Sequence, residues 1–288
     1  MSIKAFRLID NQIILLDISA ASLDGITASL AEGFYTTFST LAAGTKVLGL
    51  KSHLQRLYKP AHAMNLKPSA TENFLREQVA KLTQENLPNE SRIRLILIKD
   101  TGDVYIGIQP FEPLPESVYQ NGVHVITSEI TRTDPRIKDT AFITKSQEQR
   151  KLLNKDVFEI LLTKDGKIYE GMTSNFYVVA VGRVGARSSR PVSRPTLITA
   201  QKGILLGVTR KAILKLAREQ GLSIEYRSPS INEKFNEAFL TSSSRGVVPI
   251  VSIDDKFVGQ GKVGAWTKSL TQAYQAYLHK RSELLHLK

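Results

Sequence analysis

The sequence predicts an α+β protein in two domains, a smaller N-terminal α/β sandwich over residues 1–111 and a larger C-terminal domain over 123–288 built on a closed, barrel-like sheet. Three observations carry this. Strand and helix patterns interleave irregularly without a repeat period, which argues against a solenoid or a regular run of βαβ units. Glu112-Pro113-Leu114-Pro115-Glu116 places two prolines close together, opposing both helix and central strand, so 112–122 reads as the linker. The 288 residues suffice for two ordinary domains with buried cores.

The elements follow in order. Residues 4–18 alternate apolar and polar positions in two runs joined by Asp10-Asn11, an opening hairpin. From Ser52 to Asn65, Leu54, Leu57, Tyr58, Ala61 and Met64 recur at helical spacing; Thr71 to Thr83 repeats the pattern with Thr71 as N-cap. Arg92–Lys99 and Val104–Gln109 read as strands around Asp100-Thr101-Gly102-Asp103. Beyond the linker come a strand at Val123–Thr127, a polar helical stretch after Lys138 to about Leu153, and strands at Phe158–Thr163 and Ile168–Ala180 around the hairpin signal Asp165-Gly166. A helix from Thr209 to Gln220 ends at Gly221, strands follow at Glu237–Thr241 and Val247–Ile253, and a helix from Trp266 to His279 closes the chain.

Composition narrows the function. With no cysteine, disulfides, thiolate catalysis and cysteine-held metals are excluded; five histidines lack ligand spacing, so no metal site is expected. No apolar run reaches bilayer length and the start lacks a signal-peptide pattern, so a cytoplasmic protein with no membrane partner is expected. The charge of +12 suits phosphate and carboxylate ligands as well as nucleic acid, and no nucleic-acid motif accompanies it. Arg183, Arg187, Arg190 and Arg194 crowd one Ser- and Pro-containing stretch, expected to be a solvated loop extending a hairpin.

Four segments carry candidate chemistry: Ser52-His53-Leu54-Gln55-Arg56-Leu57; Arg136-Ile137-Lys138-Asp139; Glu170-Gly171-Met172-Thr173-Ser174-Asn175; and Leu205-Leu206-Gly207-Val208-Thr209-Arg210. Glu170 stands at the edge of one strand just before a glycine turn and a second strand, 32 residues after Lys138 (170 minus 138). The last segment runs directly into a helix, whose first N–H groups and dipole form an anion site without any special side chain.

In this order the four segments resemble the class IV aminotransferase family of fold type IV pyridoxal 5'-phosphate enzymes, from about Gly33 to about Tyr277. That family includes branched-chain and D-amino-acid aminotransferases and aminodeoxychorismate lyase. The resemblance implies that Lys138 forms the Schiff base with the cofactor and Glu170 holds the pyridine nitrogen protonated. Lys145 competes for the lysine role, but it is only 25 residues from Glu170 (170 minus 145), and the family separation of a little over thirty selects Lys138. Arg56 would grip the cofactor phosphate, as its planar fork suits, with the Val208 and Thr209 N–H groups and the Ser243 hydroxyl. Thr173 and Ser174 would line the cofactor site, and Asn175 would fix the turn.

The implied reaction moves an amino group from an amino acid, with D-amino acids a candidate, or an amine to a 2-oxo acid, and the implied assembly is a homodimer. The carboxylate-reading elements of the best-known subfamilies are missing: Ser39 stands where branched-chain enzymes carry arginine, and Thr101-Gly102-Asp103 where D-amino-acid enzymes carry Arg-x-His. Substitute candidates are Tyr35, Thr37, Arg92, Arg94, Ser244 and Arg245. Phe34-Tyr35-Thr36-Thr37 also resembles the Phe-Thr-Thr element of aminodeoxychorismate lyase, which leaves a lyase as the alternative. A non-catalytic or nucleic-acid-binding use of the same scaffold is the third reading.

Overall fold

The computed structural model describes residues 3–181 and 194–285, so Arg183, Arg187 and Arg190 of the arginine-rich stretch lie outside the described residues. The chain forms two compact units, one of Met1–Pro113, Ile137–Lys145 and Lys280–Lys288, the other of Leu114–Arg136 and Ser146–His279. No described helix is long and apolar enough to cross a membrane.

In chain order the first stretch holds β1 (Lys4–Ile9), β2 (Gln12–Leu15), α1 (Leu23–Ala28), β3 (Gly33–Ser39), β4 (Lys46–Val47), α2 (Leu50–Ala63), α3 (Glu72–Gln84), β5 (Ser91–Ile98) and β6 (Val104–Pro110). Asp10 and Asn11 both take positive φ (50° and 58°), which a two-residue hairpin turn of this hand requires, and Ile9 pairs with Gln12 across it. Thr71 caps α3 by accepting from the Phe74 N–H. The five strands form an antiparallel sheet in the order β2-β1-β6-β5-β3. One face carries Leu8, Phe34, Phe38, Ile93, Leu95 and Ile106 against Leu54, Leu57, Tyr58, Leu75 and Val79 of α2 and α3. Burying each such side chain is worth about 1.5–3 kcal/mol.

The segment Ile137–Lys145 belongs to this first unit, so a single boundary at 112–122 does not describe it. The reason is backbone hydrogen bonding along the β3 edge. The Tyr35 N–H donates to the Lys138 carbonyl (2.9 Å), the Thr140 N–H to the Gly33 carbonyl (2.9 Å), and the Gly33 N–H to Thr140 Oγ1 (2.8 Å). Position 33 needs glycine, since a Cβ there would stand 2.4 Å from the Leu97 carbonyl oxygen. The expected linker contains a short helix, α4 (Glu116–Asn121), behind Pro115 as N-cap.

The rest of the chain holds β7 (Val123–Ser128), α5 (Ala141–Lys145, in the first unit), α6 (Gln147–Lys151), β8 (Glu159–Lys164), β9 (Lys167–Gly171), β10 (Asn175–Ala180), β11 (Thr196–Thr199), α7 (Val208–Glu219), β12 (Ser223–Tyr226), β13 (Glu237–Ser242), β14 (Gly246–Ile253) and α8 (Ala265–Arg281). Six strands close on themselves in the order β10-β13-β14-β7-β8-β9, with β9 pairing back to β10. That last pairing rests on Asn175 opposite Glu170. Alternate residues fill the interior: Val123, Val125, Leu161, Ile168, Phe176, Val178, Leu240 and Val248. The strand expected to run unbroken from Ile168 to Ala180 is interrupted at 172–174, because the chain must turn there to let β9 and β10 pair antiparallel. β3, β11, β12 and α1 were not among the expected elements. β11 and β12 extend the sheet beyond β10 as a parallel pair.

Candidate active site

The first unit brings Lys138 and Tyr35 together. Pairing along β3 sets the Lys138 backbone, and its amine lies 4.6 Å from the centroid of the Tyr35 ring, a cation–π seat that limits where the amine travels. Next to it, Asp139 takes the Lys99 ammonium, so that second lysine is neutralised in place. Lys145, at the end of α5, is exposed.

Arg56 lies three residues after His53 on α2, one helical turn apart. His53 is fully buried, its Nδ1 hydrogen-bonded to Thr36 Oγ1 at 2.7 Å and its ring tilted against Phe38. Burial first, then the charges of Arg56 and Lys138, hold the imidazole well below its usual range. His53 therefore stays neutral when folded, while the unfolded chain takes up a proton as pH falls below 6.5. Stability is highest above that value and drops below it by up to about 1.4 kcal/mol per pH unit for this one group. Urea unfolding between pH 5 and 8 should show the slope, and His53→Gln should flatten it.

Arg94, expected as a reader of substrate, already has partners within its own unit. Its guanidinium is buried inside the unit, Nε donating to Thr37 Oγ1 (3.0 Å) and Nη1 to Asp24 Oδ1 (2.5 Å), the Leu23 carbonyl (3.0 Å) and Thr27 Oγ1 (2.9 Å). Thr37 is held by the same arginine. Arg92 lies two residues earlier on β5, hence on the same face, and is half-buried.

In the second unit, Glu170 closes the barrel at β9 and is bound on both oxygens. Oε1 takes the Arg132 Nε–H at 2.7 Å, with the two side chains only 4% and 3% exposed, and Oε2 takes the Leu205 N–H at 3.0 Å. Arg132 also donates to the Met172 carbonyl at 2.7 Å, bracing the 172–174 turn. Asn175, expected to fix a turn, holds a different one: its Nδ2 donates to the Leu205 carbonyl at 2.7 Å. Glu170 and Asn175 thus grip the N–H and C=O of one residue, and Leu205 leads into α7.

That grip positions the start of α7. Gly207 is its N-cap and contributes no side-chain cap, so the first-turn N–H groups around Val208 and Thr209 receive no side-chain acceptor from the cap residue. A Cβ at Gly207 would fall 2.4 Å from Asn175 Oδ1, which is why glycine stands there. Thr209 Oγ1 lies 3.4 Å from the Tyr274 hydroxyl of α8. Ser243 and Ser244 sit half-buried in the turn between β13 and β14.

Arg245, expected to clamp a substrate carboxylate, instead bonds a carboxylate of its own unit. It donates to Glu159 Oε2 at 2.9 Å and to Ser242 Oγ at 3.2 Å, and contacts Thr173 Oγ1. Thr173 and Ser174 also turn to Glu159, donating to Oε2 at 2.5 and 3.3 Å. Their hydroxyl protons are therefore committed, and only oxygen lone pairs remain for another ligand.

Arg132 and Glu159 were not anticipated, and neither were the bonds that Leu205, at the head of the fourth segment, makes to Glu170 and Asn175. Glu159 opens the buried run Glu159-Ile160-Leu161-Leu162, and an acid at the head of such a strand signals a buried carboxylate with partners. Nothing local marks Arg132.

The family profile for amino-transferase class IV matches residues 33–253. The chain is 30% identical over 241 residues to D-alanine aminotransferase from Bacillus licheniformis, covering 78% of this chain and 81% of that protein. It is 28% identical over 259 residues to a probable branched-chain-amino-acid aminotransferase from Thermotoga maritima, covering 87% and 88%. Among solved structures, a putative branched-chain amino acid aminotransferase from Thermotoga maritima superposes with a TM-score of 0.73 at 23% identity, covering 96% of each chain. The T.th. branched-chain amino acid aminotransferase with pyridoxamine 5'-phosphate superposes at 0.77 and 16% identity, covering 98% of each.

Proposed function

The chain belongs to the class IV aminotransferases, and from that premise we propose that Lys138 and Glu170 carry its chemistry and that D-amino acids are its donors. It is a pyridoxal 5'-phosphate enzyme of fold type IV that moves an amino group between an amino acid and a 2-oxo acid. The observation that carries the residue assignment is the seating of the Lys138 amine on the Tyr35 ring, held by the β3 edge.

The residues fit this cofactor. The first turn of α7 carries no side-chain cap, leaving N–H groups for a phosphate, and a buried carboxylate in a closed barrel suits a protonated ring nitrogen. Arg56, Val208, Thr209 and Ser243 would hold the phosphate, and Glu170 the nitrogen. When bound, the cofactor supplies an electron-withdrawing ring next to the substrate α-carbon. The Lys138 amine would anchor its aldehyde, then accept and return the proton at the α-carbon. Arg132 and the Leu205 N–H hold Glu170 in orientation.

D-Amino acids are favoured by the 30% identity to a D-alanine enzyme. A lyase stays the second reading: Thr36 Oγ1 is hydrogen-bonded to His53 Nδ1, while Thr37 Oγ1 accepts from Arg94 Nε and keeps its own proton. A homodimer follows from family resemblance, and a cytoplasmic location suits a chain without cysteine. The test is a donor screen of D- and L-alanine, D- and L-branched amino acids and amines with 2-oxoglutarate or pyruvate, beside sedimentation for twice the chain mass. D-Alanine should exceed L-alanine in kcat/KM by tenfold or more; the reverse preference overturns the assignment.

A further inference from the structure

Arg210, on the first turn of α7, carries a charge that nothing in its surroundings neutralises. The residue is 2% exposed, and among the described residues no carboxylate pairs with it. Its Nη2 donates to the Ala200 carbonyl at 2.5 Å, while Nε and Nη1 are buried without a hydrogen-bond partner. The guanidinium lies 6.0 Å from the Tyr177 ring centroid and 5.8 Å from that of Tyr226, and it also interacts with the Tyr177 hydroxyl, so its remaining compensation comes from uncharged groups. Tyr177 is no hidden anion, because burial outweighs the nearby arginine and pushes its hydroxyl up to about 12.

The position compounds the cost. The first turn of a helix is its positive end, so a cation there opposes the dipole and the desolvation penalty together. An arginine of this kind is stabilised by an anion brought to the same turn, and α7 presents uncapped N–H groups there. The Arg210 Cβ lies 3.6 Å from where a Cβ on Gly207 would stand, so the side chain leaves the helix on the same face as the cap residue.

We propose that Arg210 is a positioning residue that acts through the first turn of α7, its buried charge giving the turn selectivity for a doubly charged phosphate over a neutral group of the same shape. This rests on the reading of Val208 and Thr209 as the phosphate cradle. Arg210 need not touch the ligand: in a water-excluded setting one charge adds to the N–H dipoles at that range. The cofactor-free protein carries the electrostatic cost, and phosphate relieves it.

The experiment compares full-length wild type with Arg210→Met and Arg210→Lys. It measures the dissociation constants of pyridoxal 5'-phosphate and of pyridoxal, and the thermal stability of cofactor-free protein with and without inorganic phosphate. In Arg210→Met the preference for the phosphorylated form should fall at least tenfold, the cofactor-free melting temperature should hold or rise, and the phosphate-induced shift should shrink. Arg210→Lys should keep the preference within about threefold. A purely structural arginine predicts equal weakening for both ligands and a lower melting temperature. A folded Arg210→Met with the wild-type preference overturns the proposal while the cradle reading stands. If Arg210→Met fails to fold, loss of the preference in a folded Arg210→Lys overturns it. Wild type binding both ligands equally removes the cradle and the proposal together.

Discussion

Lys138→Ala protein is expected to lose transamination by on the order of 10⁴-fold or more, since covalent anchoring and proton transfer at the α-carbon leave with the same amine. Lys145→Ala should stay within about threefold of wild type, because Lys145 is an exposed residue at the end of a short helix. The measurement is single-turnover kinetics beside the visible absorbance of the cofactor-loaded proteins. Lys138→Ala should still fold, since its backbone bonds to β3, not its side chain, attach the segment. Exogenous methylamine should restore part of the rate in Lys138→Ala, as a small amine can enter the space left by the side chain. Full activity in Lys138→Ala, or its loss in Lys145→Ala, would mean the lysine has been misassigned.

The second large effect concerns the Arg132–Glu170 pair. Arg132→Met leaves the Glu170 carboxylate buried without its charged partner, and breaking a buried pair from one side costs about 3–5 kcal/mol. Glu170→Gln keeps the shape and an oxygen for Leu205 but removes the charge, so the protein should fold while kcat drops by roughly 10²–10³-fold. The double variant Arg132→Met with Glu170→Gln should recover most of the stability lost in Arg132→Met and none of the activity. Urea unfolding of cofactor-free protein with steady-state kinetics separates the two. Equal stability of Arg132→Met and wild type would show that the pair does not hold the Leu205 segment. The effect should reach α7, because Glu170 and Asn175 together fix both peptide groups of Leu205.

Sequence neighbours and sequence-distant partners divide what could be anticipated. The Asp10-Asn11 turn, the Thr71 cap and the amphipathic faces of α2 and α7 were legible because each depends on residues a few positions apart. β11 and β12 were not, since a short parallel pair beside a barrel has no alternation of its own to display. Arg94 and Arg245 were plausible carboxylate readers as isolated cations. Their acids, Asp24 and Glu159, lie 70 and 86 residues away, and only chain folding shows the charges already paired.

By itself the sequence marked the α+β class, the Asp10-Asn11 turn, the Thr71 cap and the faces of α2 and α7, because turn chemistry, helix caps and periodicity are local properties of the chain. Tertiary structure alone decided that Asn175 opposite Glu170 closes the barrel, that Arg132 and Leu205 hold the acid, that Ile137–Lys145 adds to the first unit's sheet, and that two candidate arginines are already engaged. The physical reason is that a buried charge or an edge hydrogen bond is satisfied by whatever the fold brings near it, and that identity is written in no single segment.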